Sequence, residues 1–87
     1  MKKLYKFYWD SGRMGSVEGV FVSDEETVKS GIGKNVYFGE ILGKHSEVHG
    51  TLDEGDLEVL SEDQDFINKF EEIVGSTGYN PLEYINE

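Results

Sequence analysis

Cysteine is absent from the 87 residues of this chain. Its absence excludes disulfide bonds and thiolate metal sites, so packing and hydrogen bonds must supply the stability. The chain also lacks a run of about 20 consecutive apolar residues, the length that a membrane-spanning helix needs. Its start, Met1-Lys-Lys, is followed by Leu4, Tyr5 and Lys6 and not by the apolar stretch of a signal peptide. We therefore expect an unprocessed cytoplasmic protein that does not enter membranes.

Basic residues are scarce in the second half of the chain. Residues 1–44 contain seven Lys or Arg and six Asp or Glu, whereas residues 45–87 contain only Lys69 against twelve acids. The two halves therefore carry +1 and −11 of the total charge of −10. Such a field repels phosphate backbones and attracts basic partners over about 8 Å at physiological salt. We expect a basic protein partner and no direct binding of nucleic acid.

Internal repeats, linkers and low-complexity segments are also missing. The chain is shorter than the usual domain of about 100–150 residues, so two separate units would each lack an adequate core. Its 37% hydrophobic and 13% aromatic residues are enough for one folded core. We predict a single domain over residues 1–87.

Alternating side chains predict the strands. Residues 3–9 place Tyr5, Phe7 and Trp9 on one face, and residues 16–22 alternate in the same way after the turn-forming residues 10–15. This pattern predicts a β-hairpin. Further strands are predicted at residues 36–42, 47–52 and 57–60, separated by turns rich in Gly, Asp and Glu.

Two segments have the pattern of helix starts. Ser23 precedes Glu26 by three residues, and Ser61 precedes Gln64 by three, as in capping boxes. The first pattern predicts a short helix to about residue 30, and the second predicts a helix over residues 62–74 that ends at a left-handed Gly75. The apolar stripe of the second helix contains Phe66, Ile67, Phe70, Ile73 and Val74.

These elements predict an α+β fold, in which a mainly antiparallel sheet of four to five strands packs against one amphipathic helix. Four stripe residues of the helix are expected to meet inward-facing residues of the sheet. The helix residues are Phe66, Phe70, Ile73 and Val74, and the sheet residues include Phe7, Phe21, Phe38 and Val59.

An acidic series crosses a turn, a strand and a helix start. We call these seven carboxylates the acidic ridge: Asp53, Glu54, Asp56, Glu58, Glu62, Asp63 and Asp65. A line of carboxylates can resemble a phosphate backbone to a basic groove, so the ridge is a candidate nucleic-acid mimic; a solvated face that aids solubility is the simpler alternative. The spacing does not match an EF-hand calcium loop.

Aromatic residues offer a second candidate surface. The chain has more aromatics in its strands than one side of a small sheet can hold, so we predict that Tyr8, Tyr37 and in addition Trp9 are exposed. Exposed Tyr and Trp are good anchors for protein partners. An edge strand that carries them is also compatible with a homodimer.

A small anionic ligand such as a nucleotide is the alternative to a protein partner. Gly12 and Gly15 could bring backbone amides to an anion, with Arg13 as a bidentate donor and Lys44 in support. The spacing matches neither the P-loop nor the dinucleotide fingerprint, and a hairpin turn explains the glycines as well.

A metal site is a weaker candidate. In an extended strand, His45, Glu47 and His49 would point to one face and could hold zinc or iron(II). We expect no metal and no other cofactor, since the three residues straddle a predicted turn. We also predict no enzyme activity, because Ser46 and the adjacent His45 would point to opposite faces of a strand.

These observations predict a small acidic binding or inhibitory protein that uses the acidic ridge, with Tyr8 and Tyr37, against a basic macromolecule. In size, charge and lack of cysteine the chain resembles the small acidic proteins with which viruses block host nucleic-acid-handling machinery. The resemblance implies a host-defence blocker and rests on no shared motif.

Overall fold

The computed structural model describes residues 1–42 and 47–85, without the side chain of Met14. Its strands and helices follow one another as β1 (Lys2–Asp10), β2 (Ser16–Asp24), α1 (Glu25–Gly31), β3 (Asn35–Gly39), β4 (Val48–Thr51), β5 (Leu57–Ser61), α2 (Gln64–Ile73) and β6 (Thr77–Gly78). Single 3-10 turns occupy Gly12–Met14, Glu54–Asp56 and Pro81–Tyr84. In the described part of the chain, neither helix is long and apolar enough to cross a bilayer.

The predicted hairpin is confirmed. Strands β1 and β2 pair antiparallel from Lys2 opposite Asp24 to Asp10 opposite Ser16. The connecting turn places Gly12 at φ 65° and Gly15 at φ 110°, a backbone region that side chains other than glycine rarely adopt. The turn is therefore built from its glycines.

The six strands of the described residues form two antiparallel sheets. The larger sheet has the order β5-β1-β2-β6, and β3 and β4 form the smaller sheet. The predicted α+β class with a mainly antiparallel sheet is confirmed. The sequence did not predict β6, a pair of residues that lies beside Gly19 and Val20 of β2.

The main core lies between the two sheets. The face of β1 that carries Tyr5 and Phe7 packs with β2, β3, β4 and α1, as the alternation predicted. Phe7 and Phe38 lie 5.8 Å apart between ring centroids and join β1 to β3. The buried residues of this core are Tyr5, Phe7, Val17, Phe21, Val28, Val36, Phe38, Val48 and Leu52.

Helix α2 attaches to the other face of the large sheet. Leu4 and Ile67 are buried but lie outside the main core. Lys2 and Leu4 share a strand face, and the Lys2 ammonium contacts the Glu71 carboxylate at 3.2 Å. The Gln64 side-chain amide donates to the Lys2 carbonyl oxygen at 2.8 Å. The helix therefore covers the beginning of β1 on the face opposite the core.

The predicted packing of this helix is wrong in its details. Of the stripe, Ile67 is buried, whereas Phe66 is 51% exposed, Val74 50% and Ile73 79%. These side chains do not meet Phe7, Phe21 and Phe38, since that face of the sheet is covered by the smaller sheet and α1. Val59, also expected in the core, is 45% exposed.

The helix starts differ from the predicted capping boxes. Asp24 is the N-cap of α1 and makes no side-chain cap bond, while Ser23 donates to the Asp24 carbonyl oxygen at 3.2 Å. Asp63 is the N-cap of α2, and its carboxylate accepts from the backbone amides of Asp65 and Phe66. The prediction of a left-handed Gly75 is confirmed by its φ of 83°.

Candidate functional site

The acidic ridge follows the outer border of the large sheet. Its residues occupy the 3-10 turn Glu54–Asp56 with the preceding Asp53, strand β5 and the start of α2. Six of the seven side chains are exposed and Asp56 is partly buried. Because β5 pairs with β1 and has no second strand beside it in residues 1–42 and 47–85, this border is open.

The beginning of the ridge is fixed by backbone amides. The Asp53 amide donates to Oδ2 of Asp56 at 2.9 Å, and the Gly55 amide donates to Oδ1 of Asp53 at 3.4 Å. Such reciprocal bonds cap a helical turn and hold both carboxylates in place. Asp53 and Asp56 are therefore structural as well as charged.

The end of the ridge joins a chain of ion pairs. The Lys3 ammonium lies 3.3 Å from the Glu62 carboxylate and 3.5 Å from that of Glu25, which in turn lies 3.4 Å from Lys29. The hydrogen bond with Glu62 raises the pKa of Lys3, and the hydrogen bond with Lys29 lowers the pKa of Glu25. This network links β1, α1 and the segment between β5 and α2.

Most of the ridge charge has no ion-pair partner. Within the described residues, Glu62 is the one ridge carboxylate in a salt bridge. Glu58 lies opposite Lys6 in the register of β1 and β5. The segment of residues 53–65 contains seven acids and neither Lys nor Arg. The border of the sheet therefore presents a strongly negative surface.

A groove of about 440 Å³ lies between β5 and α1. Its walls include Tyr5, Leu57 and Val59 from the sheet, and Val28 and Ile32 from α1 and its end. Burial raises the pKa of the Tyr5 hydroxyl. Four charged residues also line the groove: Lys3, Glu25, Lys29 and Glu54. The groove is therefore lined by both apolar and charged side chains.

A second groove, of about 470 Å³, lies beside β4. It is lined by Trp9 and by the ridge carboxylates Asp53 and Asp56, together with Glu47 and His49. The sequence did not predict that the two ridge residues would share one groove with Trp9, Glu47 and His49. Their proximity depends on the packing of the two sheets.

The described residues contain no group of three or more His, Asp or Glu able to hold a metal ion. Of the candidate metal ligands, His45 lies outside the described residues. Glu47 accepts a hydrogen bond from the Tyr37 phenol, which raises the pKa of that phenol. The His49 ring lies against Tyr37 with 6.2 Å between centroids. Glu47 and His49 thus both contact Tyr37.

In the turn around Gly12 and Arg13, backbone amides donate hydrogen bonds to acceptors in or next to the turn. The Gly12 amide donates to Oδ1 of Asp10 at 2.8 Å, and the Gly15 amide donates to the Gly12 carbonyl oxygen at 3.1 Å. Amides with internal acceptors are not free for an anion. Lys44, the other proposed cation, lies outside the described residues. An anion site at Arg13 remains a prediction from the sequence, and the turn geometry adds no support to it.

Two predicted surface aromatics are exposed, Tyr8 by 47% and Tyr37 by 39%. Tyr8 alternates with Phe7 on β1, and Tyr37 alternates with Val36 and Phe38 on β3. Since the alternate residues point inward, the two tyrosines lie on opposite outer faces of the molecule. Trp9 is partly buried and packs against Phe7, 5.1 Å between centroids.

Sequence reasoning missed the groove beside α1. The spacing of Glu25 and Lys29 on one helix face was a readable signal of their ion pair. Lys3 and Val59 join them only through the order of the strands. No protein-family model matches the chain, and searches of curated proteins and of solved structures find no match either.

Proposed function

We propose that this protein binds a basic surface of another macromolecule through the acidic ridge. The observation that carries the proposal is a segment with seven carboxylates, six of them exposed, at an open sheet border; one of the seven is in a salt bridge within the described residues. Unpaired surface charge of one sign steers an oppositely charged partner and fixes its orientation. A basic groove that normally holds phosphates is a suitable partner, and blocking it would make the protein an inhibitor.

We infer binding and not catalysis. A general acid and base pair such as Glu18 and Glu40 would need the fold to place the two carboxylates together. Glu18 lies on the outer face of β2, opposite Tyr8, whereas Glu40 follows β3 in the other sheet. The ridge carboxylates Asp53, Asp56 and Asp63 cap turns or helices. These positions favour a charged recognition surface.

A pair of charge-reversed variants tests the proposal. The ridge variant carries Glu54→Lys, Glu58→Lys and Asp65→Lys, which spares the three capping aspartates. The control variant carries Glu26→Lys, Glu72→Lys and Glu83→Lys, which are exposed acids outside the ridge. Each substitution changes the charge by +2, so three of them change −10 to −4 in both variants.

The probe is an immobilised basic peptide of lysine and arginine, measured at 0.1 M salt. Wild type and control are expected to bind. The ridge variant is expected to lose about tenfold or more in affinity, because three attractive charges become repulsive. A tenfold loss corresponds to about 1.4 kcal/mol of binding free energy. Binding is also expected to weaken steeply towards about 0.5 M salt. Equal losses in the two variants, or affinity unchanged by salt, would contradict a role for the ridge.

A further inference from the structure

We propose that the free edge of β5 binds an extended segment of the basic partner as an added antiparallel strand. This inference rests on the proposed function and names the form and chemistry of the ligand. In the sheet order, β5 is the outermost strand, with β1 on one side and no strand on the other within the described residues. An unpaired edge offers a row of backbone donors and acceptors to a new strand.

The groove between β5 and α1 lies beside this edge. Leu57 and Val59 line it, and Tyr5 stands opposite Val59 in the register of the sheet. Val59 is 45% exposed although it lies on the face of the sheet that forms the core. A strand added to β5 places every second side chain on this face. Those side chains would cover Val59 and contact the apolar residues that line the groove.

The face of β5 that carries Glu58 favours basic residues in the added strand. Glu58 is exposed and alternates with Leu57 and Val59, so it points away from the groove. A residue directly across from Glu58 on an added strand lies within reach of its carboxylate, where an opposite charge is favourable. Glu54 and Glu62 flank β5 in the sequence and add negative charge at its two ends. The ligand is therefore a segment with alternating apolar and basic residues.

The same charges disfavour a second copy of this chain as the occupant. Pairing two β5 edges would bring Glu54, Glu58 and Glu62 of one molecule next to those of another, and facing like charges are destabilising. The pairing between β1 and β5 also shifts register near Leu60. Such irregularities at an edge limit uncontrolled strand addition. The edge thus suits a short basic segment of about five residues, the length of β5.

The test uses synthetic peptides with alternating lysine and valine, and a control peptide of the same composition in which lysines and valines form two blocks. Both have the same charge, so the ridge alone would bind them similarly. We expect the alternating peptide to bind at least about tenfold tighter and to slow amide hydrogen exchange in Leu57–Ser61. Equal affinity of the two peptides would overturn strand addition.

N-methylation of the alternating peptide tests whether its backbone amides donate hydrogen bonds to β5. Only every second amide of an added strand points to its neighbour, so methylation of one alternate set should abolish binding and methylation of the other should not. Val59→Ser should weaken binding about tenfold, whereas Val74→Ser, which removes a similarly exposed valine side chain outside β5 and outside the groove, should leave it unchanged.

The outcomes separate this inference from the proposed function. If the ridge variant loses the peptides while methylation and Val59→Ser have no effect, strand addition is refuted and the charged surface remains the binding site. If the ridge and control variants bind every peptide as the wild type does, both proposals are refuted. Loss on methylation of one set, together with loss on Val59→Ser, establishes the added strand.

Discussion

The replacement of Ile67 by alanine tests how α2 packs. Ile67 is fully buried, and it is the buried residue of the α2 stripe. Alanine removes three carbon groups, worth about 0.8 kcal/mol each or about 2.4 kcal/mol together, and leaves a cavity that adds to the cost. We expect Ile67→Ala to lower the free energy of unfolding by about 3 kcal/mol, within the usual range of about 2–5 kcal/mol for this change.

Ile73→Ala is the matched control. Ile73 belongs to the same helix and the same apolar stripe, but its side chain is 79% exposed. Removal of a side chain that water already surrounds should change the free energy of unfolding by less than about 0.5 kcal/mol. The sequence alone would assign these two isoleucines similar costs. Their difference therefore reports the tertiary packing of α2.

Thermal and urea unfolding, followed by circular dichroism, measure both variants. For a chain of this length about 1 kcal/mol corresponds to about 4–8 °C, so Ile67→Ala should lower Tm by about 12–24 °C. Ile73→Ala should stay within about 4 °C of the wild type. Equal losses in the two variants, or a larger loss for Ile73→Ala, would refute the described position of the helix.

Two further predictions concern β6 and the Tyr37 phenol. A Cβ at Gly19 would collide with the backbone of Tyr79, so Gly19→Ala should destabilise the protein by about 1–3 kcal/mol in thermal unfolding. Gly55→Ala is the control, because there is open space around Gly55, and it should not destabilise the protein. Equal stability of the two variants would contradict the contact of β2 with the chain after β6. The Tyr37 phenol, titrated by NMR of its ring, should ionise at a lower pH in Glu47→Gln, because the hydrogen bond to Glu47 raises its pKa. A raised pKa in the folded state stabilises the protein below the unfolded value of about 10, and this contribution is lost as the pH rises through the folded value. An unchanged titration of Tyr37 in Glu47→Gln would show that the hydrogen bond does not form.

Local patterns were sufficient for most elements. The period-two alternation over residues 3–9 and 16–22 predicted the hairpin, and the side chains expected inside, Tyr5 and Phe7, are buried. Gly75 adopts the left-handed conformation that was predicted for the end of α2. The N-caps are aspartates and not the predicted serines: Asp24 follows Ser23 by one residue, and Asp63 follows Ser61 by two.

The sequence identified the residues of the acidic ridge but not where they lie on the surface of the fold. Its charge follows from composition, and its turn, strand and helix start follow from local pattern. Its position on an open border depends on β5 being the edge strand next to β1. Local sequence patterns do not determine this strand order. The link from Glu62 through Lys3 to Glu25 joins segments far apart in the chain. Long-range pairing of this kind has no periodic signal in the sequence.

The sequence by itself determined the α+β class, the hairpin, the two helices and the negative charge of the second half, since each depends on neighbouring residues or on composition. Only the tertiary structure decided which face of the sheet each element covers. Strand β1 has apolar residues on both faces, Leu4 on one and Tyr5 and Phe7 on the other. Either face could have received α2. The smaller sheet and α1 occupy the face of Phe7, and this non-local competition leaves α2 at Leu4 with part of its stripe exposed.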